Sequence, residues 1–331
     1  MSRFTQFGNA LYTGERSFDF VGNRVRWYVI GAAIVLLAIL ATILRGGFTF
    51  GIEFSGGSEF RISNPAVVAE QTAIDTVEAS AGVESNPRVS IVGGDSVRVQ
   101  TEQLTDEGTT ALREELAEAY DVSVEEVTAS FVGATWGQDI TRQALIGLAV
   151  FLVLVSIVMA LYFRTWKMSV AALTALAHDL LITAGIYGVL GYEITPAAVI
   201  GLLTILGYSL YDTVVVFDKV RENTSQDGEE SSRTFAQSVN LAVNQTLVRS
   251  INTSVVAVLP VGSILFIGSL LLGAGTLRDI ALALFIGMIA GTYSSIFIAA
   301  PLYVHLRENE PENQKQGRKV REPRPTSGAV R

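Results

Sequence analysis

The chain has 331 residues, of which 49% are hydrophobic and only 17% are charged. That composition is wrong for an ordinary soluble domain and typical of a polytopic membrane protein with a soluble insert. The absence of cysteine excludes disulfides, thiolate zinc sites and cysteine nucleophiles, and the presence of only two histidines argues against a histidine-rich metal site. The formal net charge of −8 is uneven, since acidic residues are concentrated in residues 46–138 and basic residues at the end of the chain.

Six apolar runs predict six transmembrane helices, because each has about 18 residues or more, enough to cross a hydrocarbon core of about 30 Å. The runs occupy residues 27–45, 144–163, 169–190, 194–217, 247–272 and 280–304. No small-residue cleavage site follows the first run, which is therefore interpreted as a retained helix and not as a signal peptide.

The polar insert between the first two runs, residues 46–139, predicts a small α+β domain. The expected elements are a strand, glycine turn and strand over 51–60, helices over 67–81 and 105–120, a hairpin pairing 89–92 with 96–100, and a last strand within 122–132. Two helices interleaved with short strands are typical of a ferredoxin-like fold. The acidic side chains Glu53, Glu59 and Asp95 are interpreted as solvated turn positions.

Lysine and arginine in the short connections predict the orientation of the helices. The basic segments are 1–26, 164–167, 218–246 and 305–331, and all four are therefore expected on the cytoplasmic side. The insert would then be extracytoplasmic. Residues 231–244 are expected to form an amphipathic helix along the membrane surface, and the polar tail beyond 305 is expected to be disordered.

The fourth apolar run contains a carboxylate, Asp212. An aspartate is costly inside a membrane and usually marks an ion or proton path. Thr204, Tyr208 and Asp212 recur every four residues and are therefore expected on one face of the helix. Gly201 and Gly207 are expected to let a neighbouring helix approach closely.

The fifth run, which is antiparallel to the fourth, contains Arg249 at a depth similar to that of Asp212. Its polar face is expected to comprise Gln245, Arg249, Asn252, Thr253 and Val256. A contact between Arg249 and Asp212 is a hypothesis. If the two groups separate and rejoin, the aspartate would take up and release a proton while the arginine stays charged. If they remain joined, the pair is a structural tether between two helices.

Asp179 in the third run is a second intramembrane carboxylate, and Thr183 shares its face. His178 precedes it, which suggests a proton relay. Adjacent helical residues point about 100° apart, however, so the two are not expected to form one site. A helix-packing or accessory polar role is favoured.

Four motifs resemble the SecF family, the smaller membrane subunits of the SecDF protein-export complex, which are related to the resistance-nodulation-division transporters. The motifs are Gly51-Ile-Glu-Phe-Ser-Gly-Gly57, Ala177-His-Asp179, residues 208–223 and residues 246–254. The resemblance places Asp212 at the family's key carboxylate and Arg249 at the matching arginine. It also identifies Gly51, Glu53, Gly56 and Gly57 as an external motif. Glu53 stands where aspartate is common and Ser250 where threonine is usual, and neither departure is expected to touch the charge chemistry.

The resemblance implies a non-enzymatic, six-helix subunit of the bacterial cytoplasmic membrane, with both termini cytoplasmic. It implies no cofactor, with protons as the coupling ion for late protein translocation. The implied partners are SecD in a heterodimer, the SecYEG channel, SecA indirectly, YajC, the translocating unfolded polypeptide and membrane lipid, but no nucleic acid.

Two other functions are considered. A proton-driven exporter of small molecules or lipids would share the superfamily, but one insert of this size leaves little room for a substrate pocket. An intramembrane aspartyl protease would need two carboxylates that share a proton, for which Asp179 and Asp212 are the only pairing on adjacent helices. The glycine-x-glycine-aspartate element of such proteases is missing, since Asp179 follows Leu-Ala-His.

Overall fold

A computed structural model describes residues 3–80, 87–92, 96–226, 233–268 and 275–321. The helices in chain order are α1 (Arg3–Thr13), α2 (Arg24–Leu44), α3 (Ile52–Ser55), α4 (Glu70–Ala79), α5 (Asp106–Ala119), α6 (Ala134–Phe163), α7 (Trp166–Leu190), α8 (Pro196–Gln226), α9 (Phe235–Ser263), α10 (Gly275–Ser294), α11 (Ala300–Arg307) and α12 (Pro311–Arg321). π-Helical segments extend α9 over Ile264–Gly268 and join α10 to α11 over Ser295–Ala299.

The described part of the chain contains six helical stretches long and apolar enough to cross a membrane, which confirms the six predicted runs. They are α2, α6, α7, α8, α9 with its π extension, and the α10–α11 stretch. In the apolar 18-residue stretches of α7 and α10–α11, 56% and 61% of the residues are buried inside the protein. The corresponding share is 11% or less in α2, α6 and α9. The bundle is therefore built around α7, α8 and α10–α11, while the other three helices leave most of their apolar surface uncovered by this chain.

Close approach of α8 and α10 depends on small residues. A Cβ on Gly201 would lie 2.7 Å from Cβ of Ala283, as expected of a close helix contact. The same expectation for Gly207 is wrong, because this glycine is exposed and nothing lies within 4 Å of its Cβ position. The second glycine at this helix contact is Gly287 on α10, where a Cβ would lie 2.3 Å from the Ile205 side chain of α8.

The insert forms a four-stranded antiparallel sheet with two helices. The strands of the chain are β1 (Thr49–Phe50), β2 (Gly57–Ser63), β3 (Arg88–Val92), β4 (Ser96–Thr101), β5 (Val127–Val132) and β6 (Glu193–Ile194). The sheet has the order β3-β4-β2-β5, with α4 between β2 and β3 and α5 between β4 and β5. Inward side chains of both layers, such as Phe60, Val99 and Leu112, are fully buried. The two predicted helices, the hairpin pairing and the last strand are confirmed; the hairpin tip, with Asp95, lies outside the described residues.

The predicted strand, glycine turn and strand over 51–60 is wrong in its first half. β1 is followed by the helical turn α3, and the chain then reverses at Gly56 (φ +75°) and Gly57 (φ +142°). Such φ values favour glycine because it lacks a Cβ. The reversal aligns β2 with its neighbours in the sheet.

A small two-stranded sheet joins the insert to the membrane bundle. β1 pairs in parallel with β6, which lies in the turn between α7 and α8. Arg98 on the insert donates to Glu193 of β6 at 2.8 Å, and the amide nitrogen of Gln100 lies 3.3 Å from the same oxygen. Burial raises the pKa of Glu193, although the charge of Arg98 opposes this effect. The insert is therefore fixed directly to the start of α8.

The solvated positions predicted for two glutamates are not found. Glu59 is half-buried and accepts a hydrogen bond from Gln100 at 3.0 Å. One Glu53 oxygen is buried and has no hydrogen-bond partner in the described part of the chain. Both lie close to the joint: Gln100, which binds Glu59, also lies 3.3 Å from Glu193, and the Gly51 amide, two residues before Glu53, donates to the Ile194 carbonyl at 3.1 Å.

The predicted surface helix over 231–244 is also wrong. Residues 235–244 are the first part of α9, which continues without a break into the fifth apolar run. Its apolar residues Val239, Ala242 and Val243 are buried in the protein. Its polar residues Asn240 and Asn244 accept hydrogen bonds from backbone amides that precede α2, at 2.8–3.2 Å. The amphipathic face therefore packs on the chain itself and not on lipid.

The tail beyond residue 305 is not disordered throughout, contrary to expectation. Helix α11 runs to Arg307 and α12 follows it, and the Gln316 amide donates to the Arg233 carbonyl at 2.9 Å. Between the helices, Glu310 accepts hydrogen bonds from Lys167 at 2.7 Å and from Arg307 at 2.8 Å. These contacts order the segment as far as Arg321; residues 322–331 lie outside the described part of the chain.

Candidate functional site

Asp212 on α8 is almost fully buried, with 6% of its surface exposed. Its Oδ1 accepts a hydrogen bond from Ser250 Oγ of α9 at 2.8 Å. Its Oδ2 is buried and has no hydrogen-bond partner among the described residues. A buried carboxylate oxygen without a donor is costly when charged, and a proton on that oxygen removes the charge and lowers the cost. The carboxylate is thus half-satisfied in its ionised form.

Arg249 lies at the depth expected from the sequence but does not pair with Asp212. Its guanidinium is 3.5 Å from the hydroxyl of Tyr211, and the described residues include no ion pair between Arg249 and Asp212. Two successive residues on α8, Tyr211 and Asp212, thus face two successive residues on α9, Arg249 and Ser250. The guanidinium of Arg249 therefore lies beside the carboxylate of Asp212 without contacting it, because each contacts the residue next to the other in the chain.

Only part of the polar face of α9 points away from the rest of the chain, because Gln245 is half-buried, donates to the Tyr12 carbonyl at 3.1 Å and accepts from Asn223 at 3.0 Å. Arg249, Asn252 and Tyr211 are exposed, whereas Thr253 is half-buried and donates to the Arg249 carbonyl at 2.8 Å. Tyr208 on α8 is also half-buried. The guanidinium is therefore accessible from outside this chain, and the carboxylate is enclosed within it.

Asp179 on α7 is completely buried and forms a second polar centre. Its Oδ2 accepts hydrogen bonds from Ser209 at 2.5 Å and from Ser294 at 2.9 Å. Nδ1 of His178 lies 3.5 Å from its other oxygen, so the expectation that these neighbours cannot share a site is wrong. The Thr183 hydroxyl donates to the Asp179 backbone carbonyl at 2.7 Å and not to the carboxylate.

The two carboxylates are linked through the end of α10 and the residue that follows it. Ser294 donates to Asp179, and the next residue, Ser295, contacts the hydroxyl of Thr213 at 2.9 Å. Both serine hydroxyls are also within hydrogen-bonding distance of the Gly291 carbonyl, at 3.2 and 2.8 Å. A carbonyl only accepts, so it anchors both serines without passing a proton between them. Asp179 binds Ser209 and Ser294, whereas Asp212 binds Ser250, and the described hydrogen bonds include none between the two carboxylates. This arrangement argues against a proteolytic pair that shares one proton.

The hydroxyl residues at these centres were missed by sequence reasoning. Ser250 was expected not to touch the charge chemistry, yet it donates directly to Asp212. Ser209 and Ser294 bind Asp179. The available signal was their position: each is a small polar residue inside an apolar run, where an unsatisfied hydroxyl would be costly.

The residues of the external motif lie at the joint of the insert and not near Asp212. A Cβ on Gly51 would lie 2.3 Å from a Glu53 carboxylate oxygen, and one on Gly57 would lie 2.5 Å from the Thr101 carbonyl. The motif therefore packs the segment that carries β1 against its neighbours. Among the described residues, no cluster of three or more histidine, aspartate or glutamate side chains could hold a metal ion.

A family model for the protein-export membrane protein SecD/SecF, C-terminal region, matches residues 112–309. The chain belongs to this family. It is 46% identical to the protein translocase subunit SecF of Streptomyces coelicolor over 97% of this chain and 85% of the relative. It is 45% identical to SecF of Mycobacterium tuberculosis over 95% of this chain and 72% of that protein. The sequence resemblance to SecF is thereby confirmed, and with it a part in protein export.

The fold is similar to crystal structures of SecDF, a translocon-associated membrane protein. The structure from Thermus thermophilus matches with a TM-score of 0.77 and 32% identity, over 88% of this chain and 39% of that one. A SecDF structure in a super-membrane-facing form matches with a TM-score of 0.62 and 31% identity, over 92% of this chain and 40% of that one. The chain thus corresponds to somewhat less than half of a SecDF polypeptide.

Proposed function

We propose that the chain is a SecF-like subunit that uses the proton gradient to assist late protein translocation, with Asp212 as the residue that binds the proton. The observation that carries this proposal is the asymmetry of the buried carboxylate. Ser250 satisfies one oxygen, while the other has no donor among the described residues. The site therefore suits both a neutral carboxyl, which brings its own hydrogen, and a carboxylate that attracts a nearby cation.

That cation is Arg249, whose guanidinium is a fixed positive charge. In the arrangement described here, its guanidinium contacts Tyr211 and faces away from the bundle. When Asp212 releases its proton, the carboxylate gains a full charge in a low-dielectric environment and attracts the guanidinium. Uptake of a proton ends that attraction, so the two helices alternate between two side-chain arrangements.

The joint of the insert supplies a route from this alternation to translocation. Helix α8, which carries Asp212, begins two residues after β6, and β6 pairs with β1 of the insert. A shift of α8 is therefore transmitted to the insert through backbone hydrogen bonds. The β-α-β-β-α-β order of β2, α4, β3, β4, α5 and β5 supports a ferredoxin-like domain. We place this domain on the outer side of the cytoplasmic membrane and both chain termini in the cytoplasm.

The exposed polar face of α8 and α9 supports a membrane partner. An uncompensated guanidinium is costly in lipid, so Tyr211, Arg249 and Asn252 require cover from another polar surface. SecD is the partner that the SecDF architecture suggests, with the SecYEG channel, SecA and YajC as further members of the machinery. The insert would contact the translocating polypeptide.

The proposal is tested with membrane vesicles that contain this chain and its SecD partner. Asp212→Asn fixes the neutral state and Arg249→Met removes the cation, so each is expected to abolish the gradient-dependent stimulation of secretion. Both variants should still insert and co-purify with SecD. Normal export by both variants at a moderate proton gradient would contradict the proposal.

A further inference from the structure

A basic cleft of about 290 Å³ lies where four apolar helical stretches end. It is enclosed by the end of α6, the start of α7, the polar end of α8 and the segment that joins α11 to α12. The basic side chains that line it are Arg164, Lys167, Arg221 and Arg307. The one acidic side chain among the lining residues is Glu310. The cleft therefore has an excess of three positive charges at the level where lipid headgroups meet the protein.

Two of the basic side chains are already used within the protein. Lys167 and Arg307 both bind Glu310, and Arg307 also donates to the Tyr303 hydroxyl at 2.7 Å. Partial burial alone would raise the pKa of Glu310, but the hydrogen bonds from Arg307 and Lys167 outweigh it and lower the pKa. This carboxylate is thus ionised, and its charge is shared by two cations.

The other two basic side chains are not neutralised. Arg221 is exposed, and within the described residues its one hydrogen bond goes to the Tyr162 backbone carbonyl, at 3.1 Å. Arg164 is exposed and makes no hydrogen bond or ion pair within the described part of the chain. The guanidinium of Arg221 lies 6.0 Å from the centre of the exposed Tyr162 ring, and the ammonium of Lys167 lies 5.9 Å from that of the exposed Trp166 ring. Exposed aromatic rings are typical of a membrane interface.

We propose that this cleft binds the phosphate group of an anionic phospholipid. Guanidinium groups recognise phosphate through paired, charge-assisted hydrogen bonds, and basic pockets between transmembrane helices are known to hold lipid headgroups. The lining supplies free arginines for the phosphate and exposed aromatic rings for the interface. Free phosphate has the same chemistry, and the experiment below separates the two sources.

The backbone at Arg164 provides a sharp test. Arg164 ends α6 with φ +53°, in the left-handed region that favours glycine. Arg164→Gly therefore removes the charge while suiting the backbone, so a loss of lipid binding cannot be ascribed to a damaged turn. Arg221→Gln removes the second free charge and keeps a polar side chain. Arg26→Gln is the matched control, because Arg26 is exposed near the start of α2, away from the cleft.

The full chain is purified in a neutral detergent, and its thermal unfolding is followed while phosphatidylglycerol, phosphatidylcholine or inorganic phosphate is added. Phosphatidylglycerol, but not phosphatidylcholine, is expected to stabilise the unaltered protein and the Arg26→Gln variant. In Arg164→Gly/Arg221→Gln the apparent affinity should be about 30-fold lower, since each basic side chain at an anionic surface is worth about 1 kcal/mol.

If inorganic phosphate stabilises the unaltered protein and this stabilisation is lost in Arg164→Gly/Arg221→Gln, the cleft is a site for free phosphate and not for lipid. Equal stabilisation of the double variant and the unaltered protein by phosphatidylglycerol would overturn the proposal. Equal losses in the double variant and in Arg26→Gln would also overturn it, because the effect would then reflect total charge and not the cleft.

Discussion

The hydrogen bond from Ser250 to Asp212 gives the most specific prediction about the site. Ser250→Ala removes the hydroxyl that donates to Oδ1 at 2.8 Å, and leaves both oxygens of a buried carboxylate without a described donor. A hydrogen bond to a charged group is worth about 1.5–3 kcal/mol, and about 1.4 kcal/mol corresponds to a factor of ten. If the ionised carboxylate is part of the working cycle, gradient-dependent export should therefore fall by about 10- to 150-fold.

The assay is secretion into vesicles that contain the variant and its SecD partner at a fixed proton gradient. Ser250→Thr keeps a hydroxyl at the same position and should retain most of the activity. Ser254→Ala is the matched control, because Ser254 is also buried, lies one turn further along α9 and bonds to Thr292 and to the Ser250 carbonyl instead of to Asp212. Normal export by Ser250→Ala, or an equal loss in Ser254→Ala, would show that the hydrogen bond from Ser250 to Asp212 has no specific part in export.

Two further predictions concern the second carboxylate and the joint of the insert. Asp179→Asn keeps acceptor and donor atoms for the buried serines and should change thermal stability little. Asp179→Leu leaves the buried Ser209 hydroxyl without its acceptor, at a cost of about 1–3 kcal/mol, while Ser294 keeps the Gly291 carbonyl. Equal unfolding temperatures for the two variants would contradict this. At the joint, burial raises the pKa of Glu193, so its ionised form is the costly one and depends on Arg98. Arg98→Met should therefore speed hydrogen exchange in β1 and β6 more at neutral than at mildly acidic pH, and Glu193→Gln in the same chain should restore protection. Arg61→Met, an exposed arginine on the same sheet, should leave this exchange unchanged.

Apolar length and turn chemistry made much of the fold predictable. Six runs of sufficient length became six helices, because a chain in lipid must satisfy its backbone hydrogen bonds within each span. Helix α5 follows a threonine cap, with Thr105 accepting a hydrogen bond from the Gly108 amide at 3.1 Å. Local signals of this kind do not depend on distant parts of the chain.

The errors arose where distant contacts decide the structure. The polar face of residues 231–244 looked suited to a membrane surface, but Asn240 and Asn244 instead cap the chain that leads into α2. Gly207 looked like a packing residue, yet the face that packs on α10 contains Gly201. Periodicity gives the faces of a helix and does not say which neighbour each face meets.

The same limit applied to the charged site. Helical spacing and antiparallel order placed Asp212 and Arg249 at one depth. In the structure each contacts the chain neighbour of the other, because Arg249 contacts Tyr211 and Asp212 binds Ser250. Spacing could not show that Ser250 would occupy the place expected for the arginine. A serine beside an arginine gives no signal of its own, because its role depends on the rotation of α9 about its axis.

If Asp212 couples export to the proton gradient, secretion measured with and without an uncoupler tests this most directly. An uncoupler is expected to lower export by the unaltered chain to the level of Asp212→Asn, and to have no effect on Asp212→Asn itself. Export by Asp212→Asn that remains stimulated and sensitive to the uncoupler would show that Asp212 is not the coupling residue.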